Sequence, residues 1–318
     1  MPTRTDRYEL DPQVAEAFAS FAETGPEPPV LAPGDWQALR QWLAEDMAAV
    51  AAVAPPIPAG VERESVTIAT GLGGWLSARW YTRGDDRPGA AVVYAHGGGM
   101  IGGSLDDYDW LLGAYVQVSG VPILSVDYSL APEATGPRPT EELLAAVTWL
   151  LGEGERLGVE PHRIAVMGDS AGGGIAASAA ILARDRGIDL ARQILIYPML
   201  DDSVTTAPRA LEPFLTWTGD HNATGWAARK MGESTITAAT VPARLEDFRG
   251  LAPAYLEVGD LDLFRDETLA YAQRLAAAEV PLELHVLPSV PHGFEFVALN
   301  TDVACRTLQD RARALRAL

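Results

Sequence analysis

The sequence predicts an α/β protein: one mostly parallel sheet with helices on both faces. Two observations carry that expectation. Short, nearly continuous apolar runs recur along the chain, as in strands buried on both sides, and longer helical segments separate them. Such alternation of strand and helix means a parallel sheet covered on both faces. A third observation adds an antiparallel edge, because two segments ahead of the series alternate apolar and polar residues.

Taken in order, residues 11–53 read as helical. Val14, Ala17, Phe18 and Phe21 recur at helical spacing, and so do Trp36, Leu39, Leu43 and Met47. The proline-rich stretches Pro26–Pro29 and Pro55–Pro58 bracket the second helix. Ser65–Thr70 and Trp75–Tyr81 form the alternating pair. Ala91–Ala95, Val121–Val126, Ile164–Met167, Ile194–Tyr197, Ala254–Val258 and Leu282–Leu287 are the further strand candidates, which brings the sheet to eight. Helices are expected over Tyr108–Ser119, Glu141–Leu151, Ala171–Arg186, Thr268–Ala278 and Asp302–Leu318. Residues 201–250 interrupt the rhythm and hold Phe214, Trp217 and Trp226, so they read as a helical insertion. The expected organisation is a catalytic domain over residues 59–318, with a cap made of residues 1–58 and the insertion at about 201–250. Ligands in such folds sit beyond the carboxyl ends of the strands.

Composition narrows the function. At 318 residues and 48% apolar content, the chain can bury a large core. A net charge of −19 argues against nucleic acid, anionic membrane surfaces and strongly anionic substrates. The single cysteine, Cys305, excludes an internal disulfide and CxxC motifs, and a buried, inert thiol is expected there. Met1–Leu10 carries no apolar leader core, and no stretch approaches the ~20 apolar residues of a membrane span. A cytoplasmic protein is expected, with no nucleic-acid or membrane partner and with homodimerisation left open.

The chemistry is concentrated in a few motifs. Gly168-Asp169-Ser170-Ala171-Gly172 follows a strand and opens an Ala-rich helix, the context in which G-x-S-x-G lifts a nucleophilic serine above a sheet. His96-Gly97-Gly98-Gly99 ends another buried strand. Its uncovered backbone N–H groups suit an oxyanion hole, with Gly97, Gly98 and Ala171 as the expected donors. The expected chain order of serine, acid and histidine makes His292 the general base and leaves His96 to tie down its loop. His285 and His162 read as packing and surface residues, and His221, in the insertion, as either a substrate contact or, the favoured reading, a solvated helix position. Asp260, Asp262, Asp266 and Glu257 compete for the acid that orients His292.

With these motifs assembled, the chain resembles the bacterial hormone-sensitive-lipase-like esterases, or family IV carboxylesterases, of the α/β-hydrolase fold. The resemblance runs from about residue 60 onward. It rests on His96–Gly99 with Gly103-Ser104-Leu105-Asp106, on Asp127-Tyr128-Ser129-Leu130-Ala131-Pro132-Glu133, on Gly168–Gly173, on Asp262-Leu263-Phe264-Arg265-Asp266-Glu267, and on His292-Gly293-Phe294. It implies Asp262 as the triad acid, because the first aspartate of the family's D-P-L-R-D-E holds that role. Ser129, Gly174, Leu263 and Ala134–Gly136 depart from the family pattern without touching the triad. A cap from N-terminal helices plus a late insertion is likewise implied.

The expected reaction is acyl transfer from a small, uncharged ester of short to medium chain length to Ser170, followed by hydrolysis, with no metal or organic cofactor. An amidase, carbamate hydrolase or lactonase would use the same triad. A non-catalytic small-molecule receptor shares the fold, but such receptors lack the triad histidine. Met100, Phe214, Trp217 and Trp226 either line an apolar pocket or form the core of the cap.

Overall fold

The computed structural model describes residues 8–318, apart from residues 24, 27–30, 33 and 85–88. Residues 1–7 and most of the first proline-rich stretch therefore lie outside the described residues. Helix α1 (Pro12–Ala22) starts where the sequence favours a start: Pro12 occupies its first turn, and the Asp11 side chain accepts from the N–H groups of Gln13 and Val14. Asp35 caps α2 (Trp36–Val53) in the same way. The sheet strands are β1 (Val61–Ala69), β2 (Trp75–Arg83), β3 (Gly89–Ala95), β4 (Ile123–Val126), β5 (Val159–Asp169), β6 (Arg192–Ile196), β7 (Ala254–Gly259) and β8 (Leu282–Leu287). Among the described residues they form one eight-stranded sheet in the order β1-β2-β4-β3-β5-β6-β7-β8. β2 runs antiparallel to both β1 and β4, and every pairing from β4 through β8 is parallel.

Alternation along β3 shows how the sheet is covered. Ala91, Val93 and Ala95 face a core shared with α4 (Arg138–Leu157), α5 (Ser170–Asp185) and α7 (Arg265–Ala277). Val92 and Tyr94 face the other core, filled by α3 (Leu105–Ser119) and α8 (Asp302–Arg316). All seven β3 residues are buried, which is why this strand reads as an unbroken apolar run. α4 starts at Arg138, three residues before the expected position, because prolines are favoured in a first turn and Pro139 sits there. The region 201–250 is less helical than expected: α6 (Gly219–Arg229) is its only α-helix, with single 3-10 turns at Glu212–Phe214 and Pro242–Arg244. Loops make up the rest, held by Trp217, Trp226 and Val241, which pack with Leu39 of α2 against Met100 and Ala171. No helix among the described residues is long and apolar enough to cross a membrane.

Candidate active site

Ser170 sits at the β5–α5 turn with φ of 54°, in the left-handed region that side chains avoid. Such a conformation costs about 1–3 kcal/mol and persists only where the surroundings fix it. Here the glycines of the motif provide that fixing. A Cβ on Gly168 would lie 2.3 Å from the Gly172 backbone, and one on Gly172 would lie 2.0 Å from the Ala95 carbonyl oxygen. Met199 N–H also donates to the Ser170 carbonyl at 2.8 Å. The serine hydroxyl is thereby presented at the carboxyl end of the sheet, 2.9 Å from His292 Nε2.

His292 lies in the loop after β8, and its Nδ1 is 2.8 Å from Asp262 Oδ2. The second oxygen of Asp262, a fully buried residue, accepts from Phe264 N–H at 2.8 Å. Tyr197 and Phe264 meet the imidazole edge-on at 4.6 and 5.0 Å, so its plane is fixed from two sides. Burial works against the charged imidazole, but Asp262, Asp169 and Glu295 outweigh it and raise the His292 pKa above the ordinary 6.5. The other acid candidates are committed elsewhere. Asp260 accepts from Ser289 N–H, Asp266 pairs with Arg265 on the surface, and Glu257 pairs with Arg311. Geometry thus brings Ser170, His292 and Asp262 together and leaves the three competitors out.

The glycine loop requires a correction. Gly97 N–H, expected to face an oxyanion, donates to Tyr108 Oη at 2.9 Å. Tyr108 donates in turn to Asp169 Oδ2 at 2.7 Å, and Tyr94 donates to Asp169 Oδ1 at 2.6 Å. Asp169 therefore does not cap α5, although it holds the capping position. Its burial pushes the carboxyl up to about 6, against the pull of the two tyrosines. Gly98 and Gly99 line the pocket, and their N–H groups have no acceptor among the described residues. His96 is buried and stacked on Tyr128 at 4.4 Å, with Nδ1 2.7 Å from the Gly97 carbonyl, so it holds the loop and meets no nucleophile.

Behind the histidine lies a buried ionic cluster that the sequence did not advertise. Arg311 of α8 reaches Glu257 at 2.5 Å and Glu295 at 2.6 Å, and it donates to Tyr115 Oη at 2.8 Å. Tyr197 Oη donates to Glu295 at 2.8 Å. Glu295 follows His292 by three residues, so the cluster anchors the loop that carries the base.

The pocket over Ser170 has a volume of ≈ 380 Å³. Its floor includes Gly98, Gly99, Ser170 and His292, and its remaining walls come from α1, α2, residues 215–218 and 221, and Phe296–Val297. Of the four side chains weighed as lining, Trp217 alone reaches it; Met100 and Trp226 are core, and Phe214 is half-buried elsewhere. His221 is not solvated as expected. It is 9% exposed, lies 5.3 Å from both Trp42 and Trp217, and lines the pocket. Cys305 also differs from its expectation, being exposed on α8. His162 is at the surface, and half-buried His285 bonds to Glu283.

Sheet order and the serine at the end of β5 define an α/β-hydrolase fold. A family model for that fold matches residues 92–296. An ethyl acetate hydrolase of Pseudomonas putida is 34% identical over 239 residues, covering 72% of this chain and 74% of its own. The esterase LipI of Mycobacterium tuberculosis is 37% identical over 214 residues, 66% of this chain and 67% of its own. Among solved structures, a bacterial heroin esterase aligns with a TM-score of 0.84 and 31% identity over 97% of both chains. The chain belongs to the hormone-sensitive-lipase-like carboxylesterases of the α/β-hydrolase fold.

Proposed function

We propose that the protein hydrolyses carboxylic esters through an acyl-enzyme on Ser170. The observation that supports this most is the relay from Asp262 through His292 to Ser170, with links of 2.8 and 2.9 Å, at the base of a pocket. His292 removes the hydroxyl proton as Ser170 Oγ bonds to the ester carbon, then returns it to the departing alcohol. The tetrahedral oxyanion takes N–H donors from Gly98, Gly99 and Ala171, the last lying at the positive end of α5. Water activated by His292 then releases the acid. Asp262 holds the imidazole in the tautomer that can accept the serine proton. These steps use protein groups and water alone.

A cap of α1, α2 and the 201–250 segment fits this reading, because their side chains enclose the pocket from the side away from the sheet. A cavity of ≈ 380 Å³ favours esters of short to medium acyl length. Esters are favoured over amides because an alkoxide departs more readily than an amide anion. We place the reaction in the cytoplasm, on a dissolved small molecule, with no nucleic-acid or membrane partner.

A ladder of p-nitrophenyl esters tests the proposal. The expected result is a kcat/KM that peaks with short acyl chains and falls for long ones. Ser170→Ala should lose about 10⁶-fold in turnover, keep its thermal transition and resist a fluorophosphonate probe. Near-wild-type activity of that variant would remove Ser170 as the nucleophile, and efficient turnover of emulsified long-chain triglyceride would remove the short-chain preference.

A further inference from the structure

The upper wall of the pocket is aromatic: Phe18 and Phe21 of α1, Trp42 of α2, Trp217 and Phe296 all line it. One acidic side chain stands among them. Asp46, one turn beyond Trp42 on α2, lines the same pocket as Ser170 and is only partly exposed. Among the described residues its carboxylate has neither a hydrogen bond nor an ion-pair partner. Among the described residues, no lysine or arginine lines the pocket. The other ionisable groups there are spoken for. Asp169 is held by Tyr94 and Tyr108, His292 by Asp262, and burial between two tryptophans lowers the pKa of His221 and keeps it neutral. Among the described residues, the one uncommitted charge in the cavity is negative.

We propose that the aromatic wall with Asp46 is a seat for a cationic group, so that the favoured esters carry an ammonium centre on the part away from the scissile bond. This rests on the ester-hydrolase reading of Ser170 and names the substrate class for it. An alkylated ammonium is attracted to the faces of Trp and Phe, most strongly where water is excluded. A carboxylate within the same partly desolvated pocket adds a charge pair that bulk water would otherwise screen. Burial raises the Asp46 pKa above the ordinary carboxylate value, as expected of an anion short of a counter-charge. The net charge of −19 works in the same direction at longer range, because it draws cations toward the surface and repels anions. Uncharged esters still fit, since the aromatic wall accepts any apolar group, but they leave Asp46 unpaired.

The test compares choline butyrate with 3,3-dimethylbutyl butyrate, in which carbon replaces the charged nitrogen at nearly constant shape, by titration of released acid. In the wild type the choline ester should be at least about tenfold better in kcat/KM, mostly through a lower KM, as expected for a cation–π contact plus one charge pair. Asp46→Asn should abolish that preference and leave the neutral ester within about twofold, since Asp46 has no part in the bond-making groups. Equal rates for the two esters in the wild type overturn the inference. So does a preference that survives Asp46→Asn, or refusal of both esters by an enzyme that still cleaves p-nitrophenyl butyrate. Those outcomes leave the triad untouched, whereas hydrolysis that persists in Ser170→Ala defeats the esterase reading itself.

Discussion

The floor and the roof of the pocket are built on different terms. On the floor the side chains around the serine are committed, while the N–H groups of Gly98 and Gly99 stay open among the described residues: Asp262 uses both oxygens, Asp169 uses both, and Gly97 is tied to Tyr108. The roof is mostly apolar, and two of its polar atoms lack partners: Trp42 Nε1 and His221 Nδ1 are buried without a hydrogen bond among the described residues. A fully paired network has one low-energy arrangement, which suits chemistry that tolerates little displacement. Apolar walls hold shape through packing and discriminate weakly between groups that differ by a methylene. The floor therefore sets what reaction occurs, and the roof sets which ester enjoys it.

Substitutions on each side should separate these roles. After Ser170 itself, the largest effect belongs to Asp262→Asn, with a loss of about 10⁴-fold in kcat and little change in KM, the scale seen when a triad acid can no longer select the tautomer. The pH profile should move as well. The base acts when neutral, so kcat/KM rises as His292 loses its proton, with a midpoint above 6.5 in the wild type. Removing the Asp262 charge removes what holds that pKa up, so the midpoint should shift to lower pH. An unmoved midpoint would mean that another group carries the limb.

Tyr108→Phe should come next, at about tenfold in kcat. It strands Gly97 N–H and one Asp169 oxygen in a buried site, and each unmet group costs about 1–3 kcal/mol. Melting temperature and kcat should fall together while the order of preferred acyl chains stays as it was. A changed acyl order would place Tyr108 in substrate binding, contrary to the division between floor and roof. The smallest effect on chemistry belongs to Trp217→Leu. Hydrolysis of acetyl esters should change little, whereas longer chains should gain about fourfold for each methylene newly accommodated, the equivalent of ~0.8 kcal/mol of burial. A uniform loss across the ladder would show that Trp217 supports the floor instead.

The same division governs what could be read from the sequence. The floor is made of short local motifs whose backbone demands are particular, so Ser170 and His292 stand out from strand context and chain order alone. Asp262 needed the family resemblance, because three carboxylates within seven residues look alike until tertiary contacts commit Asp260 to Ser289 and Asp266 to Arg265. Gly97 misled because the group that takes its N–H lies eleven residues away on α3 and is a tyrosine, which announces nothing by its type. The roof was legible as helices but not as a surface. The spacing of Trp42, Asp46 and Val50 gives one helical face, yet what that face meets depends on a distant segment, 215–221. Residue type alone misleads at Cys305; on α8 it lies with exposed Asp302, Arg306 and Gln309, opposite buried Val303, Thr307 and Ala314.

The Arg311 cluster has a consequence for the life of the chain. The guanidinium that steadies the loop bearing His292 comes from the last helix, while the nucleophile belongs to the middle of the sequence. During synthesis Ser170 exists long before its base, and the base exists before the cation that neutralises Glu257 and Glu295. Two buried acids left without that cation would destabilise the strand-end loops by about 3–5 kcal/mol, a large share of an ordinary folding free energy. A chain cut before Arg311 should therefore lose stability and esterase activity together, which the melting temperature and turnover of that truncated protein would read.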